Sequence, residues 1–223
     1  MDIIGDELTR MIKPSDKVID AGSGIGAISL AVAPLCKKVI AVDENPKVME
    51  ILRHRMVKQG ICNIKPLVSD WIDAKIEPCD VAICTYSIGI SRNPIGLQKL
   101  WMLCNRGLII TPKHAFLEYY AFSYIAERLG LSIKRGHKKS CIELDMLERL
   151  GAEVSCQSRA HDFGQPVDDL DEAWEYVKYR LRMSNDFDSK GRDLVKEILE
   201  VNRGTLYIPI RRSSYVIEFS KRA

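Results

Sequence analysis

One stretch constrains this chain more than any other: Val18-Ile19-Asp20-Ala21-Gly22-Ser23-Gly24-Ile25-Gly26-Ala27. An apolar pair runs into an acid, three glycines follow at alternate positions, and the apolar run Ala27-Ile28-Ser29-Leu30-Ala31-Val32-Ala33 comes next. The pattern predicts a strand, a tight glycine turn and a helix, the first unit of an open α/β sheet. Glycines permit the turn and let a ligand approach the main chain closely. The helix that opens there points free N–H groups at that ligand.

Asp20 narrows the ligand. A dinucleotide-binding turn receives a pyrophosphate, which a carboxylate two residues before the first glycine would repel. The acid suits a ligand with a positive group, such as the α-amino group of a methionine moiety. In Asp20, Gly22, Gly24 and Gly26 the stretch resembles motif I of the class I S-adenosylmethionine-dependent methyltransferases, acid-x-Gly-x-Gly-x-Gly. The resemblance implies S-adenosylmethionine as cofactor and a Rossmann-like α/β fold. That fold is a seven-stranded, mostly parallel sheet with helices on both faces. It places Asp20, Gly22, Ser23, Gly24 and Gly26 at the cofactor.

The next acids extend the site. Lys38 to Asp43 reads as a strand buried on both faces. It ends in Asp43-Glu44, seventeen residues after Gly26, where an acid accepts bonds from ribose hydroxyls. The resemblance gives Asp43 that role, with Glu44 beside it. Asn45-Pro46 reads as a helix cap and first turn, and Gly60 as that helix's end. After a strand over 64–68, Asp70 and Trp71 fit the family's adenine-contacting acid and ring-covering side chain. Trp71 also reads as ordinary core.

A strand over 81–85 ends in Tyr86-Ser87-Ile88-Gly89, beyond the strand ends where open α/β sheets bind ligands. In the family this loop lies beside the transferable methyl. It lacks the Asn/Asp-Pro-Pro-aromatic signature of enzymes that methylate amino groups on bases or glutamine. Tyr86 is therefore a candidate for the acceptor side. His161, near the end of a strand over 153–163, is a second one. It either takes a proton from the acceptor or bonds loop backbone.

The rest of the chain sets the architecture. A helix is expected over 96–105, a strand over 107–111 and helices over 115–129 and 141–150. The segment 164–204 reads as a helical insertion before the last strand, 214–219. Asp168 or Asp169 caps its first helix, and Leu194, Ile198 and Val201 mark its second, stopped by Gly204. The whole, residues 1–223, is expected to be one domain with 164–204 as a cap over the carboxyl ends of the strands.

Composition excludes little. The net charge of +3 is too small to demand a nucleic-acid partner. No signal peptide and no apolar run of membrane length is seen. Seven scattered cysteines read as free thiols, which fits a cytoplasmic setting without a metal site. The reading is a methyltransferase acting on a small-molecule acceptor. An RNA acceptor is the alternative. Two other classes stay open: an NAD-dependent oxidoreductase, since Gly22-x-Gly24-x-x-Ala27 meets a relaxed dinucleotide pattern, and a nucleic-acid-binding regulator using Ile125 to Lys139. No general base, and so no catalytic residue, can be named.

Overall fold

A computed structural model describes residues 5–113, 120–132, 141–202 and 204–221. The basic run Lys134, Arg135, His137, Lys138 and Lys139 lies outside them, as do Phe116 and Tyr119 of the expected aromatic helix.

The described residues form an eight-stranded sheet in the order β3-β2-β1-β4-β5-β8-β6, with β7 paired to β8 alone. The strands are β1 (Lys17–Ala21), β2 (Lys38–Asp43), β3 (Ile64–Val68), β4 (Val81–Thr85), β5 (Arg106–Pro112), β6 (Glu153–Val167), β7 (Glu200–Asn202) and β8 (Thr205–Ser220). β1 through β5 pair with one another in parallel. The α/β class and the mostly parallel sheet are as expected; the strand number is eight rather than seven. The extra strand is β7, where a helix through Val201 was expected. Helix α9 (Asp188–Ile198) stops at Ile198, and Val201 is exposed in a strand. Gly204, at φ 80°, turns that strand back so that Asn202 pairs Thr205. Such a turn outcompetes one more helical turn when the chain must reverse.

Helix α1 (Gly5–Met11) precedes β1 and α7 (Ile142–Arg149) precedes β6. The early helices follow their capping signals. α2 (Ala27–Val32) starts from Gly26, and Pro34 converts its end to a 3-10 turn. α3 (Pro46–Gln59) is capped by Asn45, whose side-chain oxygen accepts from Lys47 N at 3.0 Å, and ends at Gly60 with φ 66°. Between β4 and β5 lie a short helix, α4 (Ile88–Ser91), and α5 (Pro94–Leu103). α5 begins earlier than expected because Asn93-Pro94 repeats the Asn45-Pro46 cap, Asn93 accepting from Ile95 N and Gly96 N.

The chain divides into two compact units: residues 1–111, 140–157 and 215–223, and residues 112–139 and 158–214. The first unit has two apolar layers. One is built on Val18, Val39, Val81 and Leu108, the other on Ile19, Val42, Ala82 and Ile109. Alternate residues of each strand thus feed opposite faces, as buried parallel strands require. The second unit contains α6 (Tyr120–Arg128), α8 (Leu170–Leu181), capped by Asp169, and α9. Phe122, Ile125, Trp174, Val177, Leu194 and Ile208 form its core. Gly191 lets α9 lie directly on the Trp174 ring, which a Cβ there would strike.

Candidate active site

The site lies in the first unit, where β1 and β4 are neighbours but their following connections diverge, to β2 and β5. Crevices at such switch points accept ligands because no crossover helix covers them. A cavity of about 410 Å³ opens there, lined among others by Gly22, Asp43, Glu44, Asp70, Trp71 and Tyr86. That volume lies in the range of small-molecule sites.

The glycine turn is held from three sides. Gly22 N and Ser23 N both donate to Val42 O at 2.9 Å. Gly24 N donates to Asp43 Oδ2 at 2.9 Å. Ser87 Oγ donates to Gly22 O at 3.1 Å, joining the loop after β4 to the turn. Gly22 has φ 72°, and a Cβ on it would strike Ser87. Gly26, at φ 81°, faces Leu52 in the same way, so α3 packs closely under the start of α2.

Asp43 ends β2 with both oxygens oriented. Oδ1 accepts from Asn45 N at 3.0 Å and Oδ2 from Gly24 N. Each oxygen keeps a further lone pair, which is what a ribose diol needs. Glu44 is exposed on the same rim. Asp70 is exposed too, one oxygen accepting from Ile72 N at 2.7 Å.

Trp71 is both wall and core. It is buried, and its indole N–H donates to Gly96 O at 2.9 Å, yet it lines the cavity. Lys99 donates to the carbonyls of Trp71, Ile72 and Ala74 and lies over the indole ring, pinning the loop after β3 to α5.

Asp20 is the electrostatic centre. It is fully buried; Oδ2 accepts from Ser29 Oγ at 2.6 Å, while Oδ1 is buried with no hydrogen-bond partner among the described residues. Burial raises its pKa to about 6, against the lowering effect of Ser29, and the Asp43 charge adds to the rise. A buried, half-paired carboxylate is costly to a folded chain. The cost makes sense where a cation is received, so the residues present fit S-adenosylmethionine, a cation with an ammonium and a sulfonium.

Of the cofactor residues expected from sequence, Gly22, Asp43, Glu44, Asp70 and Trp71 line the cavity. Asp20, Ser23, Gly24 and Gly26 shape the turn without lining it. Tyr86 lines it as well, held at φ 57° with its N–H donating to Ile110 O at 2.8 Å. A tyrosine rarely adopts that conformation outside functional loops. His161 lines a different cavity, in the second unit, with Arg211 and Arg212. Sequence reasoning missed Ser87, Ser69 and Asn93 on the wall. Asn93 was legible as the cap of α5. Ser87 was not, because its bond to Gly22 joins residues 65 positions apart.

Residues 18–107 match the family model described as a methyltransferase domain. A candidate ribosomal RNA small subunit methyltransferase A of Methanosphaera stadtmanae is 28% identical over 89 residues, 40% of this chain and 32% of that protein. A candidate cobalt-precorrin-6B C(15)-methyltransferase (decarboxylating) of Methanobrevibacter smithii is 30% identical over 59 residues, 26% of this chain and 32% of that one. The chain thus spans about a third of these relatives. Among solved structures, a candidate methyltransferase from Bacillus halodurans C-125 superposes with TM-score 0.61 at 19% identity, covering 98% of this chain and 99% of that one. Another from Streptococcus mutans, in complex with SAH, superposes with TM-score 0.50 at 14% identity, covering 98% and 96%. Among the described residues no helix is long and apolar enough to cross a membrane, and no three metal-ligating side chains cluster. The chain has the Rossmann-like fold and the acid-glycine turn, and its residues 18–107 match the methyltransferase-domain family.

Proposed function

We propose that this protein transfers a methyl group from S-adenosylmethionine to a small-molecule acceptor. The observation that carries the reading is the buried Asp20 carboxylate, half-paired beneath a glycine turn that opens onto a 410 Å³ cavity. Bound there, the cofactor supplies an electrophilic methyl on a sulfonium. Asp20 places negative charge behind the turn, and Asp43 accepts the ribose hydroxyls, with Glu44 beside it. Asp70 meets the adenine amino group and Trp71 packs against the ring. Ser23, Gly24 and Gly26 set the path of the turn that carries Gly22 to the ligand. Tyr86 faces the acceptor. Holding nucleophile and methyl in line supplies much of the rate in such a transfer, so the protein's task is chiefly positioning. A base is needed only if the acceptor arrives protonated.

The loop Tyr86-Ser87-Ile88-Gly89 supports an acceptor other than a base or glutamine amino group, and the relative named for cobalt-precorrin-6B supports a small-molecule one. The relative named for ribosomal RNA favours a second reading, an RNA acceptor. Incubation with methyl-labelled S-adenosylmethionine and either a metabolite extract or total RNA separates them. Label in the small-molecule fraction is expected. Label only in RNA would replace the first reading with the second. Label in neither, with tight cofactor binding, would mark a chain that binds the cofactor without turning it over.

A further inference from the structure

Ser29 is the one polar side chain of α2, in the run Ala27-Ile28-Ser29-Leu30-Ala31-Val32. It is fully buried. Alanine at that position would favour the helix more and bury no hydroxyl. The Ser29 backbone serves the helix in the ordinary way, its carbonyl accepting from Ala33 N. The hydroxyl is directed elsewhere. It donates to Asp20 Oδ2 on β1 at 2.6 Å. That separation falls in the range of a hydroxyl bound to a carboxylate and below the usual spacing of two neutral groups.

The bond makes the two oxygens of Asp20 unequal. Oδ2 is committed to Ser29, whereas Oδ1 is buried without a hydrogen-bond partner among the described residues. Its register partners on the neighbouring strands, Ala41 of β2 and Ile83 of β4, carry apolar side chains. Gly22, two residues on, lines the cofactor cavity. Burial raises the Asp20 pKa to about 6; Ser29 works against that rise through its hydroxyl and then its amide, and the Asp43 charge adds to it. α2 carries no charged side chain. Cys84 of β4 feels both Asp20 and Glu143 of α7, and burial keeps that thiol neutral.

We propose that Ser29 is a positioning residue for cofactor binding: its hydroxyl fixes the Asp20 carboxylate and leaves Oδ1 as the oxygen that serves the cofactor's ammonium group. A hydrogen bond to the charged form of an acid also favours that form, so the same hydroxyl keeps Asp20 ionised near neutral pH. Without it the carboxylate would take up its proton at higher pH and turn more freely. Both changes weaken its attraction for a cation. The inference rests on the methyl-transfer reading of this site.

Calorimetric titration of the full chain with S-adenosylhomocysteine between pH 5 and 8 tests the proposal. That ligand keeps the ammonium group. Affinity of the unmodified chain should rise with pH through the region near 6, as Asp20 loses its proton. Ser29→Ala should move the rise upward by about one pH unit, the loss of one hydrogen bond to a charged group. Its affinity should then be lower by about tenfold at pH 5 and nearly unchanged at pH 8. Ser29→Thr keeps the hydroxyl and should return the profile towards that of the unmodified chain. Asp20→Asn should bind weakly without this pH dependence, and adding Ser29→Ala to it should have no pH-dependent effect. A loss of equal size at every pH in Ser29→Ala would make the serine a packing residue and overturn the proposal. So would a profile that does not move. If S-adenosylhomocysteine binds no sample at any pH, the methyl-transfer reading falls and the inference with it; binding with an unmoved profile overturns the inference alone.

Discussion

The carboxylate of Asp43 accepts the amide hydrogen of Gly24 at 2.9 Å, so the end of β2 fixes the middle of the glycine turn on β1. Its other oxygen accepts from Asn45 N and starts α3. One side chain therefore orders the turn and the next helix while offering its remaining lone pairs to the cavity.

Replacing Asp43 by alanine should cost about 2–4 kcal/mol of S-adenosylhomocysteine affinity, the loss of two charge-assisted hydrogen bonds. It should also lower folding stability by about 1 kcal/mol, because two backbone N–H groups lose an acceptor. Calorimetric titration and a thermal melt check the two parts. An unaltered dissociation constant would move the ribose role to Glu44.

Asp20 gives a prediction with a sign. Its pKa is raised from 3.8 unfolded to about 6 folded, so the folded chain holds the proton more tightly. Its contribution to stability is full below pH 4 and is lost as pH rises through 6. The swing is about 3 kcal/mol for a group fully buried in the ligand-free chain. Asp20→Asn should therefore stabilise the ligand-free protein at pH 8 and weaken cofactor binding. Cofactor affinity of the unmodified chain should fall as pH drops below 6, where the carboxylate takes up its proton. Denaturant melts and titrations at pH 5 and 8 read both effects. A less stable Asp20→Asn at pH 8 would contradict this account of the carboxylate.

Two glycines of the turn should behave differently. Gly22→Ala meets Ser87 and a strained φ, so both stability and cofactor affinity should drop, each by more than about 1 kcal/mol. Gly24→Ala meets open space and carries only the backbone strain, about 1 kcal/mol. Thermal melts of the two variants check the order.

Tyr86 tests the acceptor side. Tyr86→Gly relieves the strain at φ 57° and loosens the unfolded chain, two opposing effects that should leave stability within about 1 kcal/mol. Methyl transfer should fall while S-adenosylhomocysteine affinity holds. Equal loss of both would place Tyr86 on the cofactor instead.

Local signals carried much of the fold. The Asn45-Pro46 and Gly60 boundaries of α3, the span of β4 and the cap at Asp169 all depend on chemistry within a few residues. The acid-glycine turn was legible for the same reason. Features that join distant segments were not. The Ser87 clamp on Gly22 and the Lys99 staple over Trp71 arise only once the strands are paired. The long strands β6 and β8 also escaped a local reading. The outer part of β6, Gly164 to Val167, fell within the expected helical insertion, and that of β8, Thr205 to Ser213, carries a proline and two arginines and lay outside the expected last strand. Pairing in the sheet overrides that preference. His161 was placed near the acceptor from family order alone, and the structure gives it arginine neighbours that sequence position did not announce.

Calorimetric titration of the full chain with S-adenosylhomocysteine and with NAD, at pH 8 where Asp20 is ionised, tests the central claim most directly. The account predicts a dissociation constant in the micromolar range for S-adenosylhomocysteine, on the order of −8 kcal/mol, and no comparable heat from NAD. NAD binding as tight or tighter would contradict it.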